Sequence, residues 1–129
     1  MFQIRIMKGH WEKLCECAER EIELLLEQLP PDLRLRARKL PILFERSPSE
    51  ELQAEGIAQD TLGIFAGAEL ADEGVDIMPP QIILFLENIN DFAENDADRF
   101  VAEVRTTYLH ELGHFLGLDE GDLSNRGLD

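Results

Sequence analysis

"NDADRFVAEVRTTYLHELGHFLG", residues 95–117, reads as one helix with both ends written into it. Asp96 or Asn95 can accept a hydrogen bond from a free backbone N–H at the start, and Gly117 supplies the left-handed residue that stops the run. Between them a helix is expected from about Ala97 to Leu116. At about 100° per residue, with His110 as origin, Val101, Val104, Tyr108, Leu112 and Phe115 fall between about 120° and 200°. That is the face a sheet would bury. His114 lies at about 40° and Glu111 at about 100°, so both histidines face away from the core and share one side with the glutamate.

The pattern H-E-x-x-H therefore carries chemistry. Two neutral imidazoles at i and i+4 stand one turn apart on a helix and can reach the same ion, and zinc takes such nitrogens readily. Glu111, next to the first histidine, is placed to act on water instead of binding the metal. In that role the ion lowers the pKa of a bound water, and the carboxylate takes its proton and later passes it to a leaving amine.

A helix at the end of the chain sets the reading of what precedes it. Trp11, Leu14, Ala18, Ile22, Leu25 and Leu29 make an apolar stripe at helical spacing, so a first helix is expected from Trp11 to Leu29. "LPPDL" stops it, and Pro31 can open a short second helix through "DLRLRARK". "LPILFER" (40–46), "TLGIFAG" (61–67) and "QIILFLE" (81–87) are short and rich in branched and aromatic residues, and read as strands. "SPSEE" after the first reads as turn chemistry, and the acidic "AELADEGVD" between the second and third as a loop. Two helices, three or four strands and a final long helix make an α+β fold.

With 129 residues the chain is expected to form a single domain over 1–129. Twelve Lys and Arg against 27 Asp and Glu give a net charge of −15, a surface that repels phosphate backbones and anionic membranes. No nucleic-acid or membrane partner is expected; basic peptides would be drawn in. The N-terminal "MFQIRIMKGHWEKL" breaks its apolar character at Arg5 and Lys8 and does not read as a secretory signal. Cys15 and Cys17, two apart on a helix, point to different sides, which suits reduced thiols and a cytoplasmic protein. The sequence does not specify an oligomeric state.

The third metal ligand is sought after His114. A glutamate about twenty residues downstream, as in thermolysin-like peptidases, would need more chain than the fifteen residues present. In the metzincin frame HExxHxxGxxH, the glycine turns the chain so that the residue three further on points back to the metal. "HELGHFLGLDE" puts Glu120 at that position. Asp119 is the near alternative, since one residue of slippage exchanges the two, and Asp122 is more distant. No methionine follows His110, so the Met-turn of metzincins is absent.

"HELGHFLGLDEGDL", with "TLGIFAG", "PPQIILFLENI" and the leading amphipathic helix, resembles the minimal single-domain zincin-like metallopeptidases of bacteria, whose motif is HExxHxxGxxD near the C-terminus. The resemblance runs from about Trp11 to Leu123. It implies a zincin-like fold, a small mixed sheet packed with helices and an active-site helix under an edge strand. It also implies Zn2+ on His110, His114 and Glu120, with Glu111 as general base and a peptide or protein as substrate. Glu120 departs from the family's aspartate by one methylene. Zinc endoribonucleases with an HxxxHxxGxxH frame lack the glutamate after the first histidine. Peptide deformylases use a cysteine ligand from a strand, whereas both cysteines here lie on the first helix. Either "QIILFLE" or "TLGIFAG" is expected to supply the edge that aligns substrate. No oxyanion-stabilising residue stands out: His10 is remote, Tyr108 turns to the core, and Arg126 lies near the end. A zinc- or peptide-binding module with little turnover is the alternative reading.

Overall fold

In the computed structural model, which describes residues 9–67 and 80–117, the first apolar stripe forms α1 (His10–Gln28). Leu14, Ala18, Ile22, Leu25 and Leu29 are buried as the spacing requires, each such aliphatic side chain worth roughly 1.5–3 kcal/mol of transfer free energy. α2 (Pro31–Arg38) opens on the expected proline. Its Arg34 donates to the carbonyls of Leu26, Glu27 and Leu29, which satisfies backbone acceptors left over at the end of α1.

The three expected strands all form, each shorter than its apolar run: β1 (Ile42–Glu45), β2 (Gly63–Ala66) and β3 (Gln81–Phe85). Their order is β1-β3-β2, with β1 parallel and β2 antiparallel to β3, so the sheet is mixed. Ile82 and Leu84 point into the main core, where they meet residues of α1 and of the helices that follow β3, while Ile42, Phe44 and Phe65 pack against its rim. Leu43, Ile83 and Ile64 stand side by side on the opposite face.

Two segments differ from the sequence expectation. "SPSEE" is not only a turn: Ser49 caps a helix, α3 (Glu50–Ala54), by accepting from the Leu52 N–H at 3.2 Å. Two acids in its first turn complement the helix dipole. "QIILFLE" stops being a strand at Phe85, and the next residues form α4 (Leu86–Phe92). Leu86, Ile89, Asn90 and Ala93 are buried, a helical period that overrides the strand-like composition before it. Glu94 and Asn95, both at positive φ, then reverse the chain, and Asn95 accepts from Asn90 Nδ2 at 2.6 Å.

α5 (Ala97–Leu116) has the expected bounds. Asp96 is the cap, accepting from the Arg99 N–H at 2.9 Å, and Gly117 closes the helix at φ 72°. Val104, Tyr108 and Leu112 are buried and Val101 and Phe115 half-buried, so the wheel placed them correctly. The helix lies under β2 and β3 and beside α1. The acidic stretch 68–76, read as a loop, lies outside the described residues. No helix among the described residues is long and apolar enough to cross a membrane.

Candidate metal centre

The histidines emerge from α5 into solvent. His110 and His114 are both exposed, and their rings stand 4.6 Å apart between centroids at 62° to each other. Glu111 points between them and the sheet and is only 8% exposed. One nitrogen or carboxylate oxygen from each of the three residues lies within 4.8 Å of the others, and Glu111 Oε2 is 3.5 Å from His114 Nδ1. Two accessible imidazoles on adjacent turns with a carboxylate alongside form a donor set that suits a borderline divalent ion such as zinc.

A buried carboxylate needs compensation. Burial pushes the Glu111 carboxyl above its ordinary value. His114, His110, a backbone hydrogen bond with Phe65 and a hydrogen bond with His114 act against that push without cancelling it. The group therefore holds a proton more readily than a solvated glutamate. A carboxylate whose proton affinity is raised in a cleft is a candidate for proton exchange.

The contact with Phe65 shows how the sheet meets the helix. The Phe85 N–H donates to the Leu62 carbonyl at 2.9 Å, and Gly63 lies opposite Leu84. In an antiparallel ladder, bonded and non-bonded pairs alternate. Leu62, Ile64 and Ala66 thus spend their main-chain groups on β3, while Gly63 and Phe65 turn theirs away from β3, to the side that is unpaired among the described residues. Phe65 uses one of them on Glu111. β3 is paired on both sides, so "QIILFLE" is the central strand and is excluded as the edge; among the described residues β2, within "TLGIFAG", is the edge strand beside Glu111.

Gly63 makes this approach possible. A Cβ there would meet Thr107 Cγ2 of α5 at 2.7 Å, Leu84 Cδ2 at 3.0 Å and the Ile83 carbonyl at 3.2 Å. Only a residue without a side chain lets the edge strand lie this close to the helix. On the inner side, Phe65 packs on Phe115 with ring centroids 5.7 Å apart.

A cavity of about 570 Å3 opens at this edge. It extends from Glu111 around Gly63 and Phe65 onto the outer face of the sheet, under α3. The sequence reading missed this wall because it took "SPSEE" for a turn; a serine followed by two acids was the available signal of a helix start.

Of the residues expected at the site, His110, Glu111 and His114 are brought together, whereas Glu120 and Asp119 lie outside the described residues. Tyr108 is fully buried in the core, which removes it from the cleft, and among the described residues its hydroxyl has no hydrogen-bond partner. His10 lies 3.4 Å from Asn90 Nδ2, at the start of α1. Cys15 and Cys17 are half-buried free thiols, pushed by burial towards the protonated form.

A family model for zincin-like metallopeptidases matches residues 37–128. The match takes in the whole sheet and the H-E-x-x-H helix, and leaves out α1 and most of α2. No curated protein matches the chain.

Proposed function

Because the chain belongs to the zincin-like metallopeptidase family, we propose that it is a zinc-dependent peptidase in which His110, His114 and Glu120 hold the metal and Glu111 is the general base. The observation that carries the reading is the state of Glu111: a carboxylate buried between two exposed histidines and the main chain of β2, with its proton affinity raised. A closed structural site would have no use for such a group.

Zinc bound there supplies a Lewis acid that polarises a carbonyl and makes water more acidic. The chain's own residues do the rest. The outward main-chain groups of Gly63, and the one that Phe65 does not spend on Glu111, offer a peptide an edge to join as an added strand, which holds its backbone across the mouth of the site. Glu111 Oε takes the proton from the attacking water and delivers it to the amine that leaves. Asp119 remains the alternative to Glu120 as third ligand.

Zinc content and cleavage of an unstructured protein distinguish the roles. Glu111→Ala is expected to keep zinc and lose cleavage; His114→Ala loses both. Glu120→Ala loses zinc, and Asp119→Ala does not. Undiminished cleavage by Glu111→Ala defeats the mechanism, and zinc loss confined to Asp119→Ala transfers the third-ligand role. Zinc retention with no cleavage by the wild type would point instead to a binding module of low turnover.

A further inference from the structure

The cavity beside Glu111 has a floor and a rim of opposite character. Leu43, Ile83 and Ile64 form one continuous row across the outer face of all three strands. Leu52 and Ile57 close the apolar surface from the side of α3. Around it stand Glu45 on β1 and Glu51 and Glu55 at the two ends of α3, and among the described residues no Lys, Arg or His lines the cavity. Among the described residues none of these three carboxylates has an ion-pair or side-chain hydrogen-bond partner. Elsewhere Glu23 of α1 pairs with Arg38 and Glu87 of α4 with Arg46.

An apolar floor with an unneutralised acidic rim fits a side chain that is itself divided in this way. Lysine and arginine carry a long aliphatic stem and a cationic head, and bury the first while keeping the second among polar groups. An apolar side chain would leave the three carboxylates unanswered, and an acidic one would be repelled by them. The volume of about 570 Å3 lies within the range of sites that hold a ligand group with some of its backbone.

We propose that this cavity is a specificity pocket of the peptidase, selecting peptides with a lysine or arginine side chain next to the segment that joins the β2 edge. Glu45, Glu51 and Glu55 are its selecting residues. The inference rests on the peptidase reading for the identity of the ligand as a substrate. Its geometry does not depend on turnover, and so it is tested by binding as well as by cleavage.

The test uses three fluorescein-labelled peptides of eleven residues, identical except for a central lysine, norleucine or glutamate. Norleucine keeps the stem and removes the charge. Binding is measured by anisotropy on the full chain with one equivalent of zinc, in the Glu111→Ala background so that the peptides survive. The lysine peptide is expected to bind about tenfold more tightly than the norleucine peptide, the combined effect of three partly exposed charge pairs, and the glutamate peptide more weakly still. In Glu45→Gln/Glu51→Gln/Glu55→Gln the lysine advantage falls below about threefold. A remote variant with the same change in net charge, Glu19→Gln/Glu27→Gln/Asp91→Asn, keeps it. Equal binding of lysine and norleucine peptides overturns the proposal, as does equal loss in both triple variants, which would mean general attraction by the acidic surface. If the lysine preference holds but the wild type cuts none of the peptides, the pocket stands and the peptidase reading fails.

Discussion

Replacing Gly63 by alanine tests whether the edge strand must touch the helix for the site to exist. The new Cβ would lie 2.7 Å from Thr107 Cγ2, where carbon atoms ordinarily rest about 3.5–4.0 Å apart, so one element must retreat by roughly 1 Å. Leu84 Cδ2 at 3.0 Å and the Ile83 carbonyl at 3.2 Å close the other escape directions. Overpacking of this kind costs about 2 kcal/mol, or roughly 8 °C in melting temperature for a chain of this size. Thr107→Ser removes only Cγ2 and keeps the Oγ1 bond to Glu103 at 3.2 Å; alone it costs about 1 kcal/mol for the lost methyl. Because the second change deletes the atom that the first one strikes, the double variant should be more stable than the sum of the two by about 1 kcal/mol or more. Thermal denaturation of the four proteins without metal measures this coupling. Zinc content should be unchanged, since both histidines stay on an intact α5. Peptide hydrolysis should fall by about tenfold to a hundredfold, since the Phe65 main chain moves relative to Glu111. Additive effects, or a Gly63→Ala protein that melts within about 1 °C of wild type, would refute the close approach of β2 and α5 as the reason for the glycine.

The Tyr108 hydroxyl is buried with no hydrogen-bond partner among the described residues, and burial pushes its pKa up to about 12. Tyr108→Phe should therefore leave stability at neutral pH unchanged or raise it by about 1 kcal/mol. As pH rises from about 10, the unfolded tyrosine ionises while the folded one does not, so the folded state binds more protons and wild-type stability falls through the window from about 10 to 12. Denaturant titrations at pH 9 and 11 should show a larger loss for wild type than for Tyr108→Phe; equal losses would count against a buried neutral hydroxyl. Glu111 carries the same sign: its folded value is raised, so the metal-free protein loses stability as pH climbs past the ordinary carboxylate range. Glu111→Gln should melt higher than wild type at pH 7 without metal and at the same temperature at pH 3, and a lower melting point at pH 7 would reject burial as the dominant influence on this group.

Local patterns were sufficient for much of this molecule. The stripe from Leu14 to Leu29 specified α1, because a helix buries residues at its own period wherever it packs. The cap at Asp96, the apolar face through Tyr108 and the left-handed Gly117 specified α5 together with the direction in which His110 and His114 leave it. α3 and α4 were not read, though each carried a signal: a serine before two acids, and a buried period at Leu86, Ile89, Asn90 and Ala93. In both, a short apolar or turn-like composition masked a periodicity of only one or two turns. The sequence also left open the third ligand between Glu120 and Asp119.

By itself, then, the sequence determined which side chains share one side of the last helix, since that depends on a rotation of 100° per residue and on nothing distant. It could not determine which strand is the edge, because strand order depends on pairings between segments up to forty residues apart, and the central and edge runs have the same composition. The tertiary structure settled that order, placing the outward main chain of Phe65 against Glu111. The same packing buried Glu111 beneath its two exposed histidine neighbours and brought Glu45, Glu51 and Glu55 around one cavity from separate elements. Burial and enclosure arise only when surfaces from different parts of the chain meet, which no single segment can encode.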